Sequence, residues 1–340
     1  MKALLLAGGK GTRLHPLTFD QPKPMIPVMN KPWLEYLVES LKDYGIEEII
    51  FSLCHHPEKI MEHFAQGEDF GIKVRYVIEQ SPLGTGGAVK AAEHYLEEDF
   101  LVINADIIAQ LDLEKLVAFH KKQNALATLT LTQVSNPAAY GLVELGEEER
   151  IHNFTEKPQL SRAAPAWINA GIYVFSSKIF DYIPKDQAVS IERETFPQLL
   201  AEGEKLFGFR SHNYWLDMGT PQRYLKLHQD IIFGRFQPAF PLKQDSGRLW
   251  IHPTASISPK AKLTAPCFIG PGCSIEDGAQ IGPMAVLGKN VVVKRESIIR
   301  GSVLWKGASV GENTRLEQVI VGFDTHVSDN DSLVSQAIAE

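Results

Sequence analysis

The sequence predicts an α/β domain built on a mainly parallel sheet, followed by a parallel β-helix. Two periodicities and the stretch between them carry that expectation. Up to about residue 235, short apolar runs alternate with amphipathic helical segments. From about residue 250, aliphatic side chains return every six positions. Phe236 to Gly247, with Pro238, Pro241 and Gly247, follows neither rhythm and reads as a linker.

In the first region Ala3–Leu6 is a buried strand. Trp33, Leu34, Leu37, Val38 and Leu41 sit at helical spacing, and Ile49–Leu53, Val74–Val77 and Phe100–Asn104 are further strands. Strand, helix and strand in succession imply right-handed crossovers, with the ligand crevice at the carboxyl ends of the strands. In the last region Ile257, Leu263, Ile269, Ile275, Ile281, Leu287 and Val293 form one hexad series. A five-residue step leads to Ile298, Leu304, Val310 and Leu316, and another to Val321, Val327 and Leu333. Six residues make one face of a three-faced coil, so this stretch predicts roughly four coils around a column of aliphatics. The expected organisation is a catalytic domain over 1–235, a linker over 236–249, a β-helix over 250–334 and a tail over 335–340.

Thirty-four basic and 41 acidic side chains leave a net charge of −7, which argues against a broad nucleic-acid or anionic-membrane footprint. Any phosphate must therefore be held locally. Three cysteines without a C-x-x-C pair argue against a disulfide framework and a cysteine-ligated zinc, and read as small buried hydrophobes. Glycines and charges interrupt the apolar start MKALLLAGGKGTR before it makes a signal peptide, so the expected compartment is the cytoplasm.

Directly after the first strand comes LAGGKGTRLHPLTFDQPKPMIPV, residues 6–28. Gly8, Gly9 and Gly11 let backbone N–H groups approach a polyphosphate as an anion nest. Arg13 adds a planar guanidinium, and Lys23 adds a compact charge between Pro22 and Pro24. Leu14 stands where a dinucleotide fingerprint needs its third glycine, and the order of a P-loop is absent.

The run G-G-x-G-T-R-L, then P-K-P-x-x-P-V, resembles the signature of sugar-1-phosphate nucleotidylyltransferases, and the likeness extends over residues 1–235. It implies a Rossmann-like catalytic domain, often followed by a left-handed β-helix. The implied activity joins a nucleoside triphosphate to a sugar 1-phosphate and releases pyrophosphate. The likeness implies nucleotide contacts at Leu6, Ala7, Gly8, Gly9, Gly11, Thr12, Glu79, Gly84 and Asp106.

Two carboxylates end apolar strands: Asp106 in Asn104-Ala105-Asp106, and Asp217 in Tyr214-Trp215-Leu216-Asp217-Met218-Gly219-Thr220-Pro221. An aspartate after a strand is ordinarily a helix cap. The resemblance instead makes Asp106 and Asp217 the two ligands of Mg²⁺, an ion that takes one or two carboxylates plus phosphate oxygens and water. It also implies that Glu156 and Asn169 bind sugar hydroxyls, that Lys157 binds the sugar phosphate, and that Gly141 and Gly171 allow close backbone contact.

The loop Glu79-Gln80-Ser81-Pro82-Leu83-Gly84-Thr85-Gly86-Gly87-Ala88 resembles the family's base-binding turn, with Gly86 in place of the usual alanine and hence added flexibility. Glu79, an acceptor when ionised, suits the N1–H and N2–H₂ donors of guanine and opposes the O4 acceptor of thymine or uracil. Gln80 beside it keeps a pyrimidine reading open. Overall the chain is closest in likeness to mannose-1-phosphate guanylyltransferases, with thymidylyl or uridylyl transfer to glucose 1-phosphate as the alternative.

The expected chemistry is in-line displacement at the α-phosphorus without a covalent intermediate. Arg13, Lys23, Asp106 and Asp217 carry it by positioning and charge. The rivals are a noncatalytic nucleotide-sugar-binding regulator and an acyltransferase use of the β-helix. His252 and His326 lie at its two ends, so the β-helix reads as an interaction or regulatory module, and self-association of its coils is the expected assembly.

Overall fold

The computed structural model describes residues 1–110, 112–159, 164–237 and 248–339. Its contacts form two compact units: residues 1–10 with 37–216, and residues 11–36 with 217–340.

The first unit is built on a mixed sheet. Its central strand Lys2–Leu6 pairs in parallel with Glu48–Leu53 on one side and Phe100–Asn104 on the other, and Lys73–Ile78 extends the parallel edge. The strand Ala166–Phe175 then runs antiparallel to Phe100–Asn104 and to Ala127–Val134. Gly141–Leu145 and Ile151–Glu156 form an antiparallel pair beyond it. The short 146–150 connection between these last two strands permits only a hairpin. Parallel strands covered on both faces need continuous apolar runs. Leu4, Leu5, Ile50, Phe51, Val102 and Ile103 are accordingly buried. The predicted helix spans Trp33–Asp43, and its five apolar positions are buried.

In the second unit the six-residue rhythm becomes three parallel sheets of two- and three-residue strands, the architecture of a left-handed β-helix. Ile269, Leu287, Leu304, Val321 and Ile338 stack at intervals of 18, 17, 17 and 17 residues. The column beneath them is continuous and buried. Two details differ from the expected pattern. Ile299, fully buried, stacks on Ile281, while Ile298 pairs with Gln280 and is half-buried. The shortened step therefore lies between Ile299 and Leu304. Stacking requires aliphatic over aliphatic in each strand, so the missing residue is absorbed in the turn.

The coils also run further than expected, from Leu249–Ile251 to Ala337–Ile338, giving about five coils instead of four. Ile338 covers the Val321 end of the column, so the segment expected as a tail contains a strand. Most of the expected linker, residues 238–247, lies outside the described residues. Its first residue, Phe236, is buried, with its ring 6.2 Å from that of Trp33.

Cys267 and Cys273 are buried among the coils, and burial pushes their thiols up to about 12 and about 11. Cys54 is only half-buried. No helix among the described residues is long and apolar enough to cross a membrane.

Candidate functional site

The glycine loop leaves the central strand at Leu6. Ala7 N–H donates to Ser52 C=O (2.9 Å), and Ala105 N–H donates to Leu6 C=O (3.0 Å), so both neighbouring strands hold its root. A Cβ at Gly8 would lie 3.1 Å from Cys54 Cβ and 3.4 Å from Glu79 Oε1, whereas one at Gly9 would meet nothing within 4 Å. No protein packing explains the glycine at 9; open backbone there is what an anion nest requires. Gly11 takes a left-handed conformation (φ 64°) ahead of the turn Thr12–Leu14, and Thr18 Oγ1 donates to its carbonyl at 3.0 Å.

Within the second unit three cations converge on one carboxylate. Asp217, buried at the end of Trp215–Asp217, receives Arg223 Nη1 on Oδ2 at 2.6 Å. Lys23 Nζ lies 3.5 Å from Oδ1, and Arg13 Nη2 lies 3.8 Å from Oδ2. Lys23 is buried, whereas the Arg13 side chain is 62% exposed and keeps most of its donor capacity. Gly219 makes the gathering possible, because a Cβ there would stand 2.8 Å from Arg13 Nη2 and 2.9 Å from Asp217 Oδ1.

Arg13, Lys23 and Asp217, expected from the sequence, are thus brought together. Arg223 was not anticipated. Thr220 caps the helix Pro221–Ile232 by accepting Arg223 N–H at 3.3 Å, which places Arg223 in the first turn, where its side chain reaches the preceding aspartate. A capping Thr-Pro followed by an arginine, just after a strand-end aspartate, is the available signal.

In the first unit Glu79 organises the expected base loop. Its Oε1 accepts Ser52 Oγ and its Oε2 accepts Leu83 N–H, both at 2.9 Å. Burial pushes the neighbouring Cys54 thiol up, and the Glu79 charge adds to the effect. Leu83 C=O accepts Val189 N–H, and Gly86 N–H donates to Val189 C=O, both at 2.8 Å. Gly84 has φ 70°, and Cβ atoms at Gly84, Gly86 and Gly87 would meet residues 187–189 at 2.5–2.9 Å. The glycine at 86, expected to add flexibility, is buried in the helix Gly84–Ala91 and permits this close docking.

The expected sugar residues border the antiparallel strands. A Cβ at Gly141 would lie 3.0 Å from Glu156 Oε2, and Lys157 Nζ lies 3.9 Å from Glu156 Oε1. Lys157 takes φ 50°, and its N–H donates to Tyr140 C=O at 3.0 Å. Burial raises the Glu156 pKa, with the Glu192 carboxylate adding to it and Lys157 opposing. Asn169 Nδ2 donates to Tyr173 Oη at 2.8 Å, and its Oδ1 accepts Gly171 N–H at 3.1 Å. Gly171 has φ 74°, and a Cβ there would lie 2.8 Å from Asn104 Nδ2. Glu192, another residue not anticipated, accepts Thr85 Oγ1 at 2.6 Å and so ties the base loop to the sugar side.

Asp106 is half-buried between the strands Phe100–Asn104 and Ile107–Ala109. The latter pairs with Trp215–Asp217, and Gln110 N–H donates to Tyr214 C=O at 3.0 Å. Two residues before Asp106, the buried Asn104 Oδ1 has no hydrogen-bond partner among the described residues. Among the described residues no group of three or more His, Cys, Asp or Glu side chains gathers as a metal cage. Carboxylate and amide oxygens form a hard donor set that fits Mg²⁺ when phosphate oxygens complete its shell.

A family model described as nucleotidyl transferase matches residues 2–232, and one described as GMPPB C-terminal domain matches residues 246–339. The chain is 39% identical over 272 residues to a mannose-1-phosphate guanylyltransferase of Mycobacterium tuberculosis, covering 79% of this chain and 75% of the relative. It is 37% identical to a mannose-1-phosphate guanyltransferase of Yarrowia lipolytica, covering 76% of this chain and 73% of the relative. The solved structure of HddC from Yersinia pseudotuberculosis complexed with GMP-PN is 32% identical with a TM-score of 0.59. That match covers 68% of this chain and 99% of the other.

Proposed function

The chain belongs to the nucleotidyl transferase family, and we propose that it joins GTP to mannose 1-phosphate, yielding GDP-mannose and pyrophosphate. The observation that carries this reading is the convergence of Arg13, Lys23 and Arg223 on Asp217 beside a glycine turn. Such a cluster suits two polyanions that must be brought within bonding distance. The mannose-1-phosphate guanylyltransferase relatives support guanine and mannose, and the GMP-PN in the HddC structure supports guanine.

In this reading Gly8, Gly9, Gly11 and Thr12 present backbone donors to the triphosphate, and Arg13 holds the departing pyrophosphate. Lys23 faces the α-phosphate, and Lys157 holds the sugar phosphate. Glu79, fixed by Ser52 and Leu83, accepts from the Watson–Crick edge of guanine, while Leu6, Ala7 and Gly84 border the nucleoside. Glu156 and Asn169 accept or donate to sugar hydroxyls, with Gly141 and Gly171 leaving room for the ring. The sugar phosphate is already ionised and needs no general base, so catalysis rests on orientation and charge compensation. Asp106 and Asp217 would hold Mg²⁺, and the ion would supply compensation for the negative charge of the phosphates. Residues 1–235 form the catalytic domain, and the β-helix serves as an interaction or regulatory module, in line with the separate family models for the two regions.

The test is a matrix of five nucleoside triphosphates against several sugar 1-phosphates, read as pyrophosphate release with and without Mg²⁺. GTP with mannose 1-phosphate leads in the expected outcome. A preference for dTTP or UTP overturns the base assignment and leaves the reaction class standing; absence of turnover with every pair favours a nucleotide-sugar-binding regulator.

A further inference from the structure

The loop that carries Lys23 continues into a small hairpin. Pro27–Val28 pairs with Lys31–Pro32 across the two-residue turn Met29-Asn30, both with positive φ (48° and 76°). This is the turn geometry that closes a tight hairpin. Lys23 is joined to it by the turn Lys23–Met25, stiffened by Pro24, so the seat of the hairpin sets where the ammonium lies.

Three groups in the second unit hold that seat. Tyr224 Oη, fully buried, donates to Pro27 C=O at 2.5 Å and accepts Trp305 Nε1–H at 2.8 Å. His228 Nε2 accepts Met29 N–H at 3.3 Å while its Nδ1–H donates to Tyr224 C=O at 3.0 Å. Asn30 Nδ2 lies so close to Gly270 that a Cβ there would stand 2.6 Å from it. Trp305 and Gly270 belong to β-helix coils. Trp305 is 2% exposed, its backbone N–H bonds Val321 of the next coil, and its ring packs 4.7 Å from that of Phe323.

Neither a hexad column nor a strand pairing calls for a tryptophan N–H aimed out of the coil. We infer that Trp305 is a positioning residue for the transfer reaction, fixing Lys23 through Tyr224 and the Pro27–Pro32 hairpin. A coil of the β-helix thereby belongs to the catalytic apparatus. The inference rests on the reading of Lys23 as the group facing the reacting phosphate.

The full-length enzyme tests it through Trp305→Phe, which keeps an aromatic ring against Phe323 and deletes the N–H together with the indole's second ring, so Tyr224→Phe and an interior control are read beside it. Loss of one neutral hydrogen bond in the relay should lower kcat about fivefold. KM for GTP and for mannose 1-phosphate should stay within about twofold, because Lys23 acts on the reacting centre. Tyr224→Phe, which deletes the shared hydroxyl, should do the same.

In a Lys23→Met background Trp305→Phe should have no further effect on kcat, since both changes then act through one missing group. Val293→Ala, inside the coils, should lower Tm and leave kcat unchanged at a temperature where the protein stays folded. Wild-type kcat in Trp305→Phe, an undiminished effect in the Lys23→Met background, or an equal kcat loss in Val293→Ala each overturns the inference. Wild-type turnover in Lys23→Met overturns the reading of Lys23, and the inference with it.

Discussion

Arg223 Nη1 approaches Asp217 Oδ2 to 2.6 Å, closer than Lys23 at 3.5 Å or Arg13 at 3.8 Å. The carboxylate proposed to hold a metal ion is therefore already shared among three cations, the nearest of them on the helix it precedes. A divalent ion entering there competes with the guanidinium for the same oxygen. Substitution Arg223→Gln should accordingly lower the Mg²⁺ concentration for half-maximal activity. It should also lower kcat by about tenfold, because one cation of the phosphate cluster is lost. A Mg²⁺ titration of initial rates decides it: an unchanged or raised midpoint contradicts the competition.

Asp106→Asn and Asp217→Asn keep the shape of each side chain and remove its charge. Each should reduce kcat on the order of 10²-fold or more, with smaller changes in KM. Chelation should abolish the wild-type rate, and added Mg²⁺ or Mn²⁺ should restore it. Bound Mn²⁺ counted by its electron-spin signal in the presence of GTP gives the independent reading, and an affinity unaltered in both variants would remove these residues from the metal site.

Glu79→Gln can preserve both local hydrogen bonds, since an amide oxygen still accepts Leu83 N–H and Ser52 Oγ can accept from the amide nitrogen. The fold should survive the change. What changes is the edge offered to the base: kcat/KM for GTP should fall about tenfold and that for UTP or dTTP should rise. Equal losses for all three nucleotides would show that Glu79 only closes the loop.

His228 makes stability pH-dependent. Burial holds its pKa at about 4, below the ordinary 6.5, although the Tyr224 carbonyl favours the charged form. Between these values the unfolded chain binds a proton that the native state refuses. Stability is therefore full above pH 6.5 and declines as pH falls toward 4, by on the order of 3 kcal/mol across the window. His120, also pushed down by burial, adds a slope of the same sign. Urea midpoints at several pH values should show a shallower decline in His228→Gln than in the native chain, and matching slopes would exclude His228 as a source.

Much of the fold was legible because its periods are enforced by burial. The strands at Lys2–Leu6, Glu48–Leu53 and Phe100–Asn104 and the six-residue column announced themselves, since each repeats an apolar side chain at the spacing its geometry demands. A single position of the column was misread, Ile298 instead of Ile299, because adjacent isoleucines look alike until a neighbouring coil chooses between them. The antiparallel half of the sheet was likewise hidden, because the direction in which Ala166–Phe175 returns along Phe100–Asn104 is a choice of topology and not of residue type.

At the candidate site, Arg13, Lys23 and Asp217 could be named from their motifs, while Arg223, Glu192 and Trp305 could not. The named groups lie in local runs of glycine, proline and charge whose chemistry is readable along the chain. Glu192 and Trp305 owe their roles to partners far off in sequence, Thr85 lying 107 residues from Glu192 and Tyr224 81 residues from Trp305, whereas Arg223 depends on the capped helix turn that brings it back to Asp217, six residues before it. Sequence by itself determined the two-part architecture, the reaction class and the motif cations Arg13 and Lys23, because period and local composition are properties of neighbours in the chain. Only the tertiary structure decided which cation meets Asp217 most closely and which coil steadies the loop of Lys23, because hydrogen bonds between distant segments depend on where folding brings them.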